Sequence, residues 1–520
     1  MGIATVVSRS IGFVRVIVVA AVLGTTYLGN TFQSSNAVSN IIFELVAAGA
    51  LSAVLVPTLV EHLDHRDPKD AERVAGRILG VALVVLGVIA VIGVIFAPRI
   101  AQLLASDVTP QRVANQQIEL STFLLRFMIP QIIFYAVAAV AIAVLYAKRR
   151  LTATALAPIG LTIGIVGAMI AFHLVAGPNP GLVLTVGERL ILALGSTFGV
   201  VLFMVIPLVA LRRLGFSLVP RWGIGDPAVR RALGLSGWAI LQHSMIGLLL
   251  IGAVVIGNSV EGGTVAYQTA WVFFLAPYAI FGAPIQAAIL PDLARQASDR
   301  RHFAQTLQWA LDASAVFLIP VGAFLIVLAR PIMEVAAFGA ATRANGVTLL
   351  AAGLASLAIG IYTYGAFLLF ARSYYSLGNS RTPALVSIAS ALIGLVVMTV
   401  GGLFYTGTAV VIFLGLGFSV AYLFGSVVLW LGLRRQTGDP LIPRSLLPTL
   451  VLAIPLALVA GGIFRMIGEQ ERLVTATILV VVVALCGGVY VMGLKIFHIS
   501  PRINPPQKSS PANIIDRNQA

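Results

Sequence analysis

Charge is what this sequence has least of. Only 10% of its 520 residues are Asp, Glu, Lys or Arg, against about 25% in a soluble domain, and the mean hydropathy is +0.99. Acidic residues are the scarcest, 19 against 34 Lys and Arg. A chain so poor in charge does not fold as an ordinary water-soluble globule. The single cysteine, Cys486, excludes an intrachain disulfide, and its setting in an apolar run makes it a small packing residue. No HExxH, P-loop, nucleophile elbow or usable pair of catalytic carboxylates is found. No enzyme, cofactor or metal site is therefore expected. The net charge of +15 is not gathered into a basic domain or an aromatic-interleaved basic patch, so nucleic-acid binding is not expected either.

What the chain has in abundance is apolar run length. Fourteen candidate spans cover residues 3–23, 36–62, 74–97, 120–146, 152–176, 185–211, 232–257, 264–294, 309–329, 346–376, 383–403, 408–433, 446–464 and 473–496. The fold class is an all-α integral membrane protein. No charged n-region or cleavage site precedes the first run, which reads as a retained helix. With the N-terminus inside, 23 of the Lys and Arg fall in inner loops or the C-terminal end, 7 fall outside and 4 within spans. That bias places both termini in the cytoplasm of a multi-pass cytoplasmic-membrane protein. The expected organisation is a first lobe over 1–211, a linker over 212–231, a second lobe over 232–433 and two added helices over 434–496. The linker carries Pro220, Pro227 and five arginines. A Pro-, Ser- and Asn-rich tail over 497–520 is expected to be disordered.

The two lobes repeat. Ala53, Pro57 and Leu59 recur as Ala287, Pro291 and Leu293, at an offset of 234 residues. Tyr146 and Pro158 around one basic link echo Tyr375, Arg381 and Pro383 around another. Each pair is separated by six spans, an even number, so the repeats are parallel, as in alternating-access transporters.

Ionisable residues within spans are costly, and they mark pathways. Arg9 and Arg15 lie in the first run, where a central cation costs about 2.5–3.5 kcal/mol on insertion scales. Six residues separate them, so they stand about 9 Å apart along a helix and about 120° apart around it. A polar pathway for something anionic is the expected reason. Arg126 is expected to snorkel, and Arg372 and Arg381 to meet headgroups or a helix C-terminus. Gln242 and His243 read as interhelical hydrogen-bonding residues, with His243 a candidate for proton coupling. Pro130, Pro277, Pro284, Pro320 and Pro455 are expected to kink their helices.

Two motifs carry a family resemblance. Ser8-Arg9-Ser10-Ile11-Gly12-Phe13-Val14-Arg15, followed by Leu23-Gly24, resembles the first-helix signature of the MviN/MurJ lipid II flippases. Phe370-Ala371-Arg372-Ser373-Tyr374-Tyr375, continuing through Gly378-Asn379-Ser380-Arg381-Thr382-Pro383, resembles that family's link between helices 10 and 11. Ala47–Ser52 with Val56-Pro57, and Ile289-Leu290-Pro291, fit as well. The resemblance implies the V-shaped fold of the multidrug/oligosaccharidyl-lipid/polysaccharide exporters. It also implies movement of a lipid-linked peptidoglycan precursor for cell-wall synthesis and cell shape. Arg9 and Arg15 match the family's first-helix arginines and would be its diphosphate contacts. Membrane lipids and cell-wall synthesis proteins are the implied partners.

The departures matter too. Phe43 and Glu44 stand where the family carries an arginine pair, and Ala48 where it carries Glu. Trp271 and Val272 replace Asp-Arg, while Asn30 and Asn379 replace Asp. Glu44 is expected to pair with Arg9 or Arg15, since unpaired burial is costly, and Glu44 and Asn30 are counted as candidate substrate contacts. Three readings stay open at this point: a flippase for lipid-linked precursor, an exporter of another polyprenyl-linked glycan or a cationic drug, and a scaffold that no longer transports.

Overall fold

The computed structural model describes residues 2–44, 68–225, 238, 241, 245–343, 345–468 and 470–497. Every regular element among them is helical. The first half comprises α1 (Gly2–Leu23), α2 (Tyr27–Phe43), α3 (Pro68–Ile95), α4 (Ala97–Leu104), α5 (Gln111–Met128), α6 (Gln131–Ala147), α7 (Leu151–Ala176) and α8 (Val186–Arg213). The second half opens with α9 (Met245–Gly257). It continues with α10 (Gly263–Pro277), a π turn (Tyr278–Gly282), α11 (Ala283–Arg295), α12 (Arg300–Val327), α13 (Ala329–Ala336), a 3-10 turn (Gly339–Thr342), α14 (Gly346–Ala358), α15 (Ile361–Ser376), α16 (Arg381–Phe404) and α17 (Thr408–Thr437). Helices α18 (Leu446–Ile467) and α19 (Arg472–Ile496) follow.

Ten helical stretches are long and apolar enough to cross a membrane, and the pair α14–α15, bent by 44°, makes eleven. The expected fourteen are thus not reached among the described residues. The apolar parts of α1 and α9 are short, Ile11–Leu23 and Met245–Gly257, and α2 is a 17-residue helix rich in Ser and Asn. The second expected span also needs correcting. It begins at Tyr27, not at residue 36, and the loop before it shrinks to Gly24–Thr26. Thr26 sets that start, because its side chain accepts the Gly29 N–H and so caps the helix.

The halves share one plan. Helices α3 and α12 are each 28 residues long, and each is followed after one residue by an eight-residue helix, α4 or α13. The next span is broken in both halves, at Ile129–Pro130 and at Ile359–Gly360. Pro130 explains the first break by removing a backbone donor. At the second, the Ser419 hydroxyl donates to the Ser356 carbonyl at 2.9 Å, and the Gly360 N–H turns to the Leu357 carbonyl at 3.0 Å, so the broken turn keeps its partners. The entry turns match as well. A Cβ on Gly29 would strike the Gly24 carbonyl, and a Cβ on Gly263 would strike the Gly257 carbonyl.

The last two helices are pinned to the second half. The Asp312 carboxylate of α12 accepts from the Ser445 backbone N–H and hydroxyl, both at 2.8 Å, at the start of α18. Arg472, opening α19, donates to the Glu334 and Ala337 carbonyls and lies 3.8 Å from the Phe338 ring centroid.

Candidate functional site

The halves are fastened at the end that carries the α1–α2 turn. Asn30, fully buried, donates from Nδ2 to the Val260 carbonyl at 2.7 Å. Its Oδ1 accepts the Thr264 and Val265 N–H groups at 3.1 and 3.3 Å. These are orphan donors in the first turn of α10, so a side chain of one half caps a helix of the other. Asn258 of the second half donates to the Leu104 carbonyl at the end of α4. Arg343 reaches the Pro178 carbonyl and Gln268 the Gln33 carbonyl. A Cβ on Gly339 would strike the Ala21 carbonyl. All hydrogen bonds between the halves among the described residues lie here. Asn30, expected as a candidate substrate contact, has both polar atoms of its side chain engaged in this clasp.

Away from the clasp no hydrogen bond among the described residues joins the halves, and the space between them there is termed the crevice. Phe13 of α1 and Phe273 of α10 touch edge to face, 4.5 Å between centroids. Phe43 stacks on Tyr135 of α6 at 4.9 Å. One position on, Glu44 is exposed and stands in the neighbourhood of Tyr135 of the first half and of Tyr364 and Tyr422 of the second. An exposed carboxylate within electrostatic reach of both halves lines the space between them. Arg15 is partly exposed and interacts with Tyr135. Arg372, also partly exposed, interacts with Tyr278 and Tyr364. Two cations and one anion thus border the crevice, carried by α1, the end of α2 and α15.

Glu44 is expected to pair with Arg9 or Arg15, and the Arg15 alternative is not formed. Among the described residues no carboxylate lies within 4.0 Å of the Arg15 guanidinium. The Arg9 side chain, Pro57 and His243 lie outside the described residues. Gly12 has open space beside it. Pro291 and Arg381 are exposed, and Pro383 is buried in the first turn of α16. Asn379 ties that turn down: its Oδ1 accepts the Thr382 N–H at 3.1 Å and its Nδ2 donates to the Thr382 hydroxyl.

Sequence reasoning missed Tyr135, Tyr278 and Tyr364, which look like ordinary core aromatics in a linear reading. It also missed Asn36 and Asn40, half-buried on α2. Their spacing of four from each other and from Glu44 was the available signal.

Comparison with known proteins follows from this geometry. The sequence profile of the family described as "Lipid II flippase MurJ" matches residues 19–496, beginning just after Arg15. The chain is 24% identical over 412 residues to a probable lipid II flippase MurJ of Vibrio cholerae, covering 77% of this chain and 76% of that one. It is 25% identical over 449 residues to a lipid II flippase MurJ of Burkholderia cenocepacia, covering 83% and 82%. Among solved structures, an inward closed conformation of lipid II flippase MurJ is similar with TM-score 0.72 at 17% identity, covering 95% of this chain and 99% of that one. An inward-facing multidrug resistance MATE family transporter of the MOP superfamily is similar with TM-score 0.62 at 14% identity, covering 83% and 94%. The structural likenesses establish the fold, which is the one shared by these MurJ and MATE structures. On the sequence match across nearly its whole length, the chain belongs to the lipid II flippase MurJ family.

Proposed function

We propose that the protein moves lipid II across the bacterial cytoplasmic membrane by alternating access, with residues 1–211 and 232–433 as the moving lobes. The observation that carries this reading is Arg15, a partly exposed cation inside the crevice with no carboxylate of the described residues beside it. A diphosphate cannot cross hydrocarbon unaided, and a guanidinium replaces its hydration with charge-assisted hydrogen bonds. The relatives named as lipid II flippases support that cargo. The distribution of Lys and Arg among the loops supports placing the crevice mouth on the cytoplasmic side and the Asn30 clasp on the outer side. Loading then occurs from the inner leaflet, and release requires the clasp to open. Arg9, by its position in α1, and Arg372, from the opposite wall, are the further cationic contacts.

The test is depletion of the native flippase followed by rescue with this chain, measuring precursor exposed on the outer leaflet. Rescue is expected, and it should fall at least tenfold in Arg15→Ala while the protein level is kept, a loss of about 1.4 kcal/mol or more in the transport step. Rescue by Arg15→Ala equal to wild type would remove the diphosphate role.

Glu44 favours a second reading. A carboxylate in the crevice where relatives of this motif carry arginine suits a less anionic polyprenyl-linked glycan or a cationic compound. A folded, membrane-inserted protein that gives no rescue, yet exports an organic cation in a Glu44-dependent way, would select it.

A further inference from the structure

Helix α2 carries a face that lipid cannot cover. Asn36, Asn40 and Glu44 are spaced by four, so they lie within about 80° of one another and climb about 6 Å per step. Both asparagines are half-buried and Glu44 is exposed. Their neighbours fix where this face points. On one flank Phe43 stacks on Tyr135 of α6. Gln33 lies on the same face, between Asn40 and Glu44 around the helix, and its carbonyl accepts a hydrogen bond from Gln268 of α10 at 3.3 Å. Beyond the other edge of the face, Ala37 and Ile41 join a buried cluster that includes Val254 of α9 and Leu86 of α3. The Asn36–Asn40–Glu44 ladder therefore looks into the crevice.

Among the described residues, neither the Asn36 nor the Asn40 side chain has a hydrogen-bond partner, although Ser39 beside them donates to the Met128 carbonyl. Amide groups at membrane depth without partners are costly unless water or a ligand satisfies them. An Asn side chain offers two donors and a two-lone-pair acceptor. That set matches sugar hydroxyls, acetamido groups and peptide bonds, each of which both donates and accepts. It matches a diphosphate poorly, since a diphosphate only accepts. Depth agrees as well. Asn36 lies nine residues from the start of α2 and Arg15 eight from the end of α1, which puts both about 12–14 Å from the clasped end.

We infer that Asn36 and Asn40 bind the glycan and peptide part of the lipid headgroup through its hydroxyl and amide groups, beside a diphosphate held at Arg15. This inference rests on the flippase reading. It assigns the neutral portion of the cargo to one face of α2 and the charged portion to α1.

The experiment uses the full chain in lipid nanodiscs and two probes, undecaprenyl diphosphate and lipid II. For the double variant Asn36→Ala/Asn40→Ala, lipid II binding should weaken about tenfold or more, while undecaprenyl diphosphate binding stays within twofold of wild type. Asn36→Ser/Asn40→Ser, which keeps a donor and an acceptor at each site, should recover part of the lipid II affinity. A thermal unfolding midpoint within a few degrees of wild type guards against misfolding. Should the alanine pair misfold, the serine pair alone decides, by a selective loss for lipid II. Equal weakening for both probes, or no weakening for either, overturns the inference. If the wild type fails to bind undecaprenyl diphosphate at all, the diphosphate reading of Arg15 fails instead, and the two failures are told apart.

Discussion

The side-chain oxygen of Asn30 accepts the Thr264 backbone N–H at 3.1 Å, so a residue of α2 caps the helix that opens α10 in the other half. Thr264 in turn donates its hydroxyl to Asn258 at 2.7 Å, and Asn258 donates to Leu104 back in the first half. The clasp is a chain of hydrogen bonds that crosses the boundary twice. Opening this end requires those bonds to break together. Asn30→Ala leaves the buried Thr264 and Val265 N–H groups without their capping partner, while the Val260 carbonyl keeps the Gly263 N–H, and each orphaned donor costs about 1–3 kcal/mol. The closed state should lose at least tenfold in population. Spin labels at Arg99→Cys and Arg330→Cys, both exposed on the short helices α4 and α13, in a Cys486→Ser background, should show a longer-distance population in the variant. An unchanged distance distribution would count against the clasp as a latch.

Steric fit at the same end makes a second prediction. Gly29 and Gly263 occupy matching turns, and a Cβ on either meets a backbone carbonyl inside contact distance. Backbone cannot swing aside as a long side chain can, so Gly29→Ala and Gly263→Ala should each destabilise the protein by about 1–3 kcal/mol. Gly12→Ala is the contrast. Nothing lies within 4 Å of its added methyl, so the thermal midpoint should hold or rise slightly through better helix propensity. Similar losses at all three positions would refute the argument from packing.

Much of this fold is legible in a linear reading because lipid imposes a single rule: long apolar runs become helices. The spans over α3, α7, α8, α16 and α17 fall where that rule puts them. The rule fails where water or protein replaces lipid. Helix α2 buries Asn30, Thr31, Gln33, Ser34, Ser35 and Ser39, a composition that reads as a loop because the partners of Asn30 and Ser39 lie in other segments, while Thr31 and Ser34 turn back on carbonyls of α2 itself. Helices α4 and α13 were invisible for a different reason. They are eight residues long, too short to show a span, and they lie where the chain leaves one. The site was legible only in its arginines. Tyr364 and Tyr422 announce nothing until α15 and α17 bring them within reach of Glu44.

A third prediction concerns pH at the start of α12. Asp299 caps this helix, accepting the His302 N–H at 3.2 Å and contacting His302 Nδ1 at 2.6 Å. The backbone hydrogen bond, then the side-chain one, hold its carboxyl below the ordinary value of 3.8. A depressed carboxylate stabilises at every pH above its unfolded value, and that contribution disappears as pH falls through the folded value. Protection of the His302 amide, corrected for intrinsic exchange, should therefore be flat from neutral pH down to about 4 and fall below it. Asp299→Ala should show weak protection throughout. A loss of protection centred near neutral pH in the wild type would assign the cap to His302 instead.

The strap that leaves α8 yields the last prediction. Phe216 is buried, with Lys148 Nζ 4.8 Å from its ring centroid. The Ser217 N–H donates to Glu72 at 2.8 Å. The Arg221 N–H donates to the Gly76 carbonyl, also at 2.8 Å. Gly76 and Gly80, one turn apart on α3, leave a groove in which the main chain of Val219 and Arg221 lies directly on the helix, so that a Cβ at either glycine would occupy the strap's carbonyl positions. The strap is thereby part of the first half, and Trp222 projects from it, 63% exposed. In Gly76→Ala/Gly80→Ala the methyl groups force the strap off α3 while the helix itself gains propensity. Overpacking of about 1–3 kcal/mol raises the detached fraction by about tenfold, and cleavage by trypsin after Arg221 follows that fraction when opening is fast. Mass-mapped cleavage at Arg221 should accelerate accordingly, with cleavage after Arg149 and Arg150 unchanged as the internal reference. Equal rates in variant and wild type would mean that the groove does not hold the strap, and the first half would then end at Arg213.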